Sequence, residues 1–330
     1  MMQAMRYQRY GGPEVLELET VAAPRPGPRE VQVQIHAAAL NAADAYLLRG
    51  EPLLLRLSSG VRSPKRTILG GDIAGTITAV GNQVTRFQPG DAVYGDLSGC
   101  GLGGFAEYVC VPEDVLVLKP NRLSFAQSAA VPMAAVTALQ SLRLGGEIAG
   151  QTMLIHGASG GVGTFALQLA KLGGATVTAV CSTRNVAQAQ ALGADHVVDY
   201  TQVDFAQQGR RYDLILVVNG NRTLTTYRQA LRPGGQLIVV GGAIRQIMQA
   251  TLFGPMLSLT WGMRLRNVLA QPNRQDLAEL SALLEAGTIT PVLDRCFALH
   301  ELPEALRYHA DGRACGKIVI AVRNTDAPSG

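Results

Sequence analysis

Residues 157 to 163 read Gly-Ala-Ser-Gly-Gly-Val-Gly, and they stand between an apolar run, Thr152 to His156, and a helical run, Thr164 to Leu172. A glycine-rich heptad alone recurs by chance, but strand, glycine turn and amphipathic helix in this order match a dinucleotide-binding βαβ unit. Two of the glycines have separate tasks. Gly160 leaves out a side chain where a pyrophosphate must approach the backbone, and Gly163 lets the helix pack tightly on its strand. Ser159, Gly160, Gly161, Val162 and Gly163 are therefore the candidate phosphate-binding residues, with the free N–H groups and positive dipole end of the helix behind them. Ala158 stands at the first position of the usual GxGxxG pattern, a departure from it.

The hydrophobic period changes near residue 124. Before it the apolar runs are short and punctuated by Gly and Pro, as in Val31 to Ala37, Ile73 to Val80, Asp91 to Tyr94 and Ala106 to Val111, which predicts a β-rich domain. A helical stretch through Ala129 to Leu142 follows, and then strands alternate with helices. The strands are expected at Thr152 to His156, Thr176 to Val180, His196 to Val198, Asp213 to Val218 and Gln236 to Val240. That alternation predicts a doubly wound parallel sheet, so the fold class is α/β with two domains. One helix should end before Pro233-Gly234-Gly235, read as a stop and a turn, and Gln275 to Glu285 is a further amphipathic helix closed by Gly287. The last apolar strand, Lys317 to Val322, cannot be given to either sheet by periodicity.

With 330 residues, 47% of them hydrophobic, the chain can bury an ample core. Its net charge of +4, from 29 basic and 25 acidic residues, provides no electrostatic case for nucleic acid. Five cysteines without CxxC spacing predict reduced thiols, and the start lacks the layout of a signal peptide, so cytoplasmic residence is expected. The uncharged stretch from Gln246 is interrupted by Gly254, Pro255 and Gly262, which argues against a membrane span. A lid or a subunit contact fits it better.

Several strings extend the pattern beyond the glycine turn: Asn41-Ala-Ala-Asp44, Leu69-Gly-Gly-Asp72 with Gly75 and Gly81, Pro89-Gly-Asp-Ala-Val93, Phe105-Ala-Glu-Tyr108, Val131-Pro132 through Thr137-Ala138, Pro233-Gly-Gly235 and Gly316-Lys-Ile-Val319. In this order they resemble the medium-chain dehydrogenase/reductase superfamily over nearly the whole chain, and within it the zinc-free quinone oxidoreductase branch, close to alkenone reductases. The resemblance implies a GroES-like catalytic domain, residues 1–123 and 288–330, with a Rossmann cofactor-binding domain, residues 124–287, inserted between its two parts. It also implies a homodimer, with the apolar region Ile244 to Leu269 contributing to the contact or to a substrate lid.

Zinc alcohol dehydrogenases of this superfamily carry Cys where Asn41 stands and Gly-His-Glu where Gly70-Gly71-Asp72 stands. Catalytic zinc needs three N, S or O ligands converging on one ion, so no metal is expected here. Nor is a structural zinc lobe, because only Cys100 and Cys110 lie in the region that would need four cysteines. An NAD-specific Rossmann site usually has an acid about 20 residues beyond the glycines. Here the second strand runs into Cys181-Ser182-Thr183-Arg184-Asn185. Arg184 and Ser182 can instead hold a 2′-phosphate, so NADPH is favoured over NADH. The alternative for Arg184 is a solvated helix-start residue, and Tyr200 is equally readable as flanking the adenosine phosphate or as a packing aromatic.

The resemblance also places Asn41, Tyr46 and Thr137 at the reacting end. Asn41 is assigned to the cofactor ribose or the substrate oxygen, Thr137 to the cofactor and Tyr46 to a reacting carbonyl, while Asn219, Gly241 and Gly242 end later strands beside the carboxamide. Alternatives remain open for each: Asn41 capping a loop, Thr137 satisfying a helix carbonyl, Tyr46 lining a wall. Asp44 and Asp72 could make a polar pair, but they read more readily as solvated or capping carboxylates. The expected activity is NADPH-dependent, zinc-independent reduction of quinones or other α,β-unsaturated carbonyls, with Tyr46 or water supplying the proton. The rivals are a zinc-free aldehyde or ketone reductase of alcohol dehydrogenase type and a non-enzymatic NADPH-binding redox sensor or interaction protein.

Overall fold

The structure is a computed structural model that describes residues 1–241 and 261–323. Strands β1 (Met2–Arg6) and β2 (Glu17–Val21) form a hairpin-like pair. There follow β3 (Glu30–Ala39), β4 (Asp72–Val80), β5 (Ala92–Asp96), β6 (Tyr108–Pro112) and β7 (Leu116–Leu118). Next come β8 (Thr152–His156), β9 (Thr176–Cys181), β10 (His196–Asp199), β11 (Tyr212–Val217), β12 (Leu231–Val239) and β13 (Arg264–Asn267). The chain closes with β14 (Leu293–Ala298) and β15 (Lys317–Ala321). The helices α1 (Ala42–Arg49), α2 (Arg56–Ser59), α3 (Phe125–Ala129), α4 (Pro132–Gly145), α5 (Gly161–Leu172), α6 (Val186–Ala191) and α7 (Leu224–Ala230) are interspersed.

The chain forms two compact units, residues 1–133 with 272–330 and residues 134–271. These limits differ from the expected ones at 123/124 and 287/288. Segment 124–133 stays with the first unit because α3 packs on β3 and β4, and the helix Arg274–Glu285 stays there because it packs on β7.

The first unit is built on a seven-stranded sheet of order β14-β15-β3-β4-β5-β7, with β6 also paired to β3. β3 shows the period of two that a half-buried strand requires: Val31, Val33 and Ile35 are inside, while Glu30, Gln32 and Gln34 are only partly covered. Each of these three buried side chains contributes roughly 1.5–3 kcal/mol. They join Ile73, Phe105, Leu116, Phe297 and Ile320 in one core. β15 lies between the edge strand β14, to which it is parallel, and β3, to which it is antiparallel, so the strand that periodicity left unassigned belongs to this sheet.

The second unit is a six-stranded parallel sheet of order β10-β9-β8-β11-β12-β13. All five expected strands are present, and β13 is a sixth that the sequence reading missed. The expected turn at Pro233-Gly234-Gly235 lies within β12, where pairing jumps from Tyr212↔Leu231 to Leu214↔Gln236 and leaves residues 232–234 exposed. The helical stretch through Ala129 to Leu142 is broken: α3 ends at Ala129 and α4 starts at Pro132, whose ring cannot continue a preceding helix but suits a first turn. Most of the expected lid or contact region Ile244 to Leu269, together with Gly242, falls outside the described residues.

Among the described residues no helix is long and apolar enough to cross a membrane. None of the five cysteines is in a disulfide.

Candidate active site

The second unit carries the candidate dinucleotide-binding residues. β8 ends at His156, the chain turns through Gly157 at φ +88°, and α5 begins after its N-cap Gly160. A Cβ at Gly157 would lie 2.7 Å from the backbone nitrogen of Asn219, which itself donates to the His156 carbonyl at 3.2 Å. A Cβ at Gly163 would lie 2.1 Å from the Gly157 oxygen and 2.8 Å from Ala158 Cα. Gly163 thus lets α5 sit directly on the turn, as its position in the motif implies. Gly160 differs, because a Cβ there would meet only the Gly157 oxygen at 3.8 Å.

No side chain caps α5. Thr164 N–H is bonded to the Gly160 carbonyl at 2.9 Å, and the preceding N–H groups of Gly161, Val162 and Gly163 come before that first helical bond. An uncapped helix terminus fronted by an open-sided glycine is a cradle for a phosphate group. Ser159, Gly160, Gly161 and Val162 are partly exposed there and Gly163 is buried, so the residues present fit a bound dinucleotide.

Ser182, Arg184 and Tyr200 are brought together by the pairing of β9 with β10. Asp199 lies opposite Cys181, and Tyr200 N–H donates to the Cys181 carbonyl at 3.0 Å, placing Tyr200 beside the turn that carries Ser182 and Arg184. Arg184 is exposed, and so is Tyr200 at 53%. An acid does stand near this turn, coming from β10. Asp199 accepts the Thr183 hydroxyl at 2.5 Å and the Thr201 hydroxyl at 2.7 Å, so both of its oxygens are engaged. Those bonds hold its carboxyl below the usual range, the Thr183 bond foremost.

Gly241 follows β12 by two residues, and a Cβ there would meet the Val218 carbonyl oxygen at 2.6 Å. Thr137 is buried on α4, and its carbonyl accepts the Ser141 hydroxyl at 2.6 Å. Beneath the turn, His156 Nδ1 and the Tyr227 hydroxyl are 2.8 Å apart. Burial pushes His156 down to about 4, so it is neutral near pH 7 and serves the core, as expected for a strand histidine.

The first unit supplies a buried polar cluster. Asn41 is the N-cap of α1, but its carboxamide does not cap the helix. The Asp44 carboxylate takes that role, accepting Asn41 N–H at 2.8 Å and Gly70 N–H at 3.1 Å. Asn41 Nδ2 donates to Asp72 Oδ2 at 3.0 Å, and Asn41 Oδ1 accepts from Lys317 Nζ at 2.6 Å. Lys317 also donates to Asp72 Oδ2 and to the Leu40 carbonyl, both at 3.1 Å. The other Asp72 oxygen accepts Met133 N–H at 2.9 Å, in the first turn of α4. Asp72 is 0% exposed, Asp44 2%, Lys317 5% and Asn41 9%. Neither carboxylate is solvated: Asp44 caps α1, as the capping reading had it, but from inside the protein, and Asp72 belongs to a buried ion pair.

Burial pushes the Asp44 carboxyl up to about 7. Burial and then the charge of Asp72 push Asp96 up to about 6. Lys317 was visible only as part of a family string, and its role went unread. The available signal was an ionisable residue heading an otherwise apolar strand. Tyr46, on α1, is half-buried, and no hydrogen bond joins it to Asn41.

These residues do not fit a zinc shell. The oxygens of Asn41 and Asp72 are bonded to an ammonium group, which repels a cation. A side chain at Gly71 would start 3.3 Å from Asp96 Oδ1 and 3.6 Å from Met133 Cε, leaving little room for an imidazole. Among the described residues no group of three His, Cys, Asp or Glu side chains can hold a metal ion.

Comparison with known proteins agrees with the fold. Residues 27–121 match the model of the alcohol dehydrogenase GroES-like domain, and residues 192–320 match a model described as zinc-binding dehydrogenase. The chain is 34% identical to the 2-methylene-furan-3-one reductase of Solanum lycopersicum, over 97% of this chain and 79% of that one. It is 31% identical, with the same coverage, to the chloroplastic NADPH-dependent alkenal/one oxidoreductase of Arabidopsis thaliana. Among solved structures, the quinone oxidoreductase from Coxiella burnetii superposes with a TM-score of 0.86 at 30% identity, covering 98% of this chain and 99% of the other. With a GroES-like unit, a Rossmann-like parallel sheet and relatives of this kind, the chain is an oxidoreductase of the medium-chain dehydrogenase/reductase superfamily, in its quinone oxidoreductase branch.

Proposed function

We propose that this protein reduces quinones or other α,β-unsaturated carbonyl compounds with NADPH and without zinc. The observation that carries the reading is the uncapped N-terminus of α5 behind Gly160, in a chain whose zinc-ligand positions are taken up by the Asn41, Asp72 and Lys317 cluster. When bound, NADPH supplies the hydride. The N–H groups of Gly161, Val162 and Gly163 hold the pyrophosphate, Arg184 and Ser182 bind the 2′-phosphate, and Tyr200 flanks the adenosine. Thr137, Asn219 and Gly241 orient the nicotinamide end, with Gly242 assigned to the same task from outside the described residues. Names of relatives support the cofactor and the substrate class, one being an NADPH-dependent alkenal/one oxidoreductase.

A conjugated acceptor delocalises incoming charge onto its oxygen and so needs less help from a Lewis acid than a simple carbonyl does. Asn41 donates a hydrogen bond to that oxygen, and Tyr46 or water delivers the proton. The protein's part is positioning and electrostatics. We further infer a homodimer, and residence in the cytoplasm, where five free thiols stay reduced.

Steady-state assays with NADPH and NADH against quinones, enones and their saturated analogues test the reading. NADPH oxidation with quinone or enone, and little with the saturated carbonyl, is expected. Equal rates on the saturated analogue would favour the aldehyde or ketone reductase, and cofactor binding without turnover across the panel would favour a redox sensor.

A further inference from the structure

The Lys317, Asn41 and Asp72 cluster has a direction built into it. A lysine ammonium can only donate and an ionised carboxylate can only accept, so the two ends of the Asn41 carboxamide are assigned by their partners. The oxygen faces Lys317 at 2.6 Å, and the nitrogen faces Asp72 at 3.0 Å. A carboxamide nitrogen carries two hydrogens, and Asp72 takes one. The second Nδ2 hydrogen has no acceptor among the described residues, and Asn41 is the most exposed of the four cluster residues at 9%. Asn41 can therefore offer an incoming group its second Nδ2 hydrogen. An amide whose oxygen is bonded to a cation is also a stronger donor at its nitrogen, because hydrogen bonds in a chain polarise one another.

We propose that Lys317 is a positioning residue for the reaction, acting through Asn41: its ammonium fixes and polarises the carboxamide so that the remaining Nδ2 hydrogen is a directed donor to the acceptor's carbonyl oxygen. This rests on the quinone and enone reading above. In that reaction the acceptor gains hydride at its conjugated carbon and forms a C–H bond. The C=C pair shifts, and the carbonyl π pair moves onto oxygen. NADPH is the reductant and is oxidised to NADP⁺, and a proton from Tyr46 or water then neutralises the oxygen. The Asn41 hydrogen bond is strongest when that oxygen bears its charge, which is the condition for accelerating the step. Lys317 thus supplies indirectly, through one amide, the electrophilic assistance that a metal would supply by direct contact. Asp72 is the counterion that lets an ammonium be buried, and its other oxygen is held by Met133 N–H.

The test uses the full chain with and without NADPH. Lys317→Met alone would leave Asp72 buried without its counterion and could fail to fold, so Lys317→Met is combined with Asp72→Asn. The new carboxamide can accept from Asn41 and can also donate to it, so the pair removes the cation and with it the fixed assignment of the two carboxamide ends. Two readouts are taken: kcat and KM on a quinone and an enone, and the side-chain amide signals of ¹⁵N-asparagine-labelled protein without cofactor, with Asn41 assigned by Asn41→Asp. The expected result is a folded pair variant with NADPH affinity unchanged within about twofold and kcat lowered about tenfold, a fraction of the effect of removing a direct oxyanion donor. Its Asn41 amide protons should move upfield towards those of a solvated asparagine.

A wild-type kcat in the pair variant, or an unmoved Asn41 signal, overturns the role of Lys317. Wild-type protein inactive on both acceptor classes overturns the reductase reading and the catalytic part of the proposal together. The amide signal then decides separately whether Lys317 polarises Asn41.

Discussion

Gly163 stands so close to Gly157 that a Cβ on Gly163 would lie 2.1 Å from the Gly157 carbonyl oxygen. That oxygen belongs to the backbone and cannot rotate away, so Gly163→Ala must push α5 off its turn. Overpacking of this kind costs about 1–3 kcal/mol. Thermal denaturation should show a lowered Tm, and NADPH titration should show weakened binding. Gly160→Ala is the contrast. Its Cβ would meet only an oxygen at 3.8 Å, so stability should stay within about 1 kcal/mol while NADPH binding weakens. Equal loss of stability in the two variants would contradict the division of tasks.

Arg184 is exposed on the turn after β9, beside Tyr200 at the end of β10. Replacing it with Ala removes a charge-assisted bond to the 2′-phosphate, worth about 1.5–3 kcal/mol. The dissociation constant for NADPH should rise at least tenfold while that for NADH barely changes. Fluorescence titration with both cofactors reads the difference directly. Parallel losses would mean that Arg184 acts on stability and not on the phosphate.

Asp44 links pH to stability in the first unit. Burial raises its carboxyl to about 7, well above its ordinary range, so the folded state holds a proton that the unfolded chain has released. Stability is therefore fully present below about pH 4 and is lost as pH rises towards about 7. Between about pH 5 and pH 8 the loss should be about 2–3 kcal/mol. Asp44→Asn, which keeps one acceptor for Asn41 N–H or Gly70 N–H, should flatten that slope. Urea denaturation across the range, monitored in the first unit by hydrogen exchange, decides it. An unchanged slope in the variant would assign the dependence elsewhere.

Prolonged dialysis against a zinc chelator should leave quinone reduction within experimental error of the untreated protein, and elemental analysis should find far less than one zinc per chain. The reason is the donor set, since the Asn41 and Asp72 oxygens face the Lys317 ammonium. Activity lost on chelation and regained with zinc would refute the metal-free reading.

Most of the parallel sheet was legible in the chain because its evidence is local. Strand and helix periods, the Gly157 to Gly163 turn and the stop signals each lie within a dozen residues. β13 and β14 escaped for a physical reason. Arg264–Asn267 is short and polar, and Leu293–Ala298 buries only Phe297, so hydrogen bonding to neighbouring strands makes them strands more than any hydrophobic period does. The family resemblance pointed to the right region for Asn41 and Tyr46, but it did not reveal what Asn41 is bonded to.

The sequence by itself determined the kind of fold and the place of the glycine turn before α5, because glycines and hydrophobic periods constrain the backbone wherever they occur. Only the tertiary structure decided the state of the charged residues. Asp44 and Asp72 look like ordinary soluble carboxylates in the chain, and Lys317 looks like a strand-end lysine. Pairing of β15 with β3 and of β3 with β4 carries Lys317 across 276 residues of sequence to Asn41 and across 245 to Asp72. Burial then leaves each of them dependent on the others, and no local pattern encodes that dependence because its partners lie on three separate strands and loops.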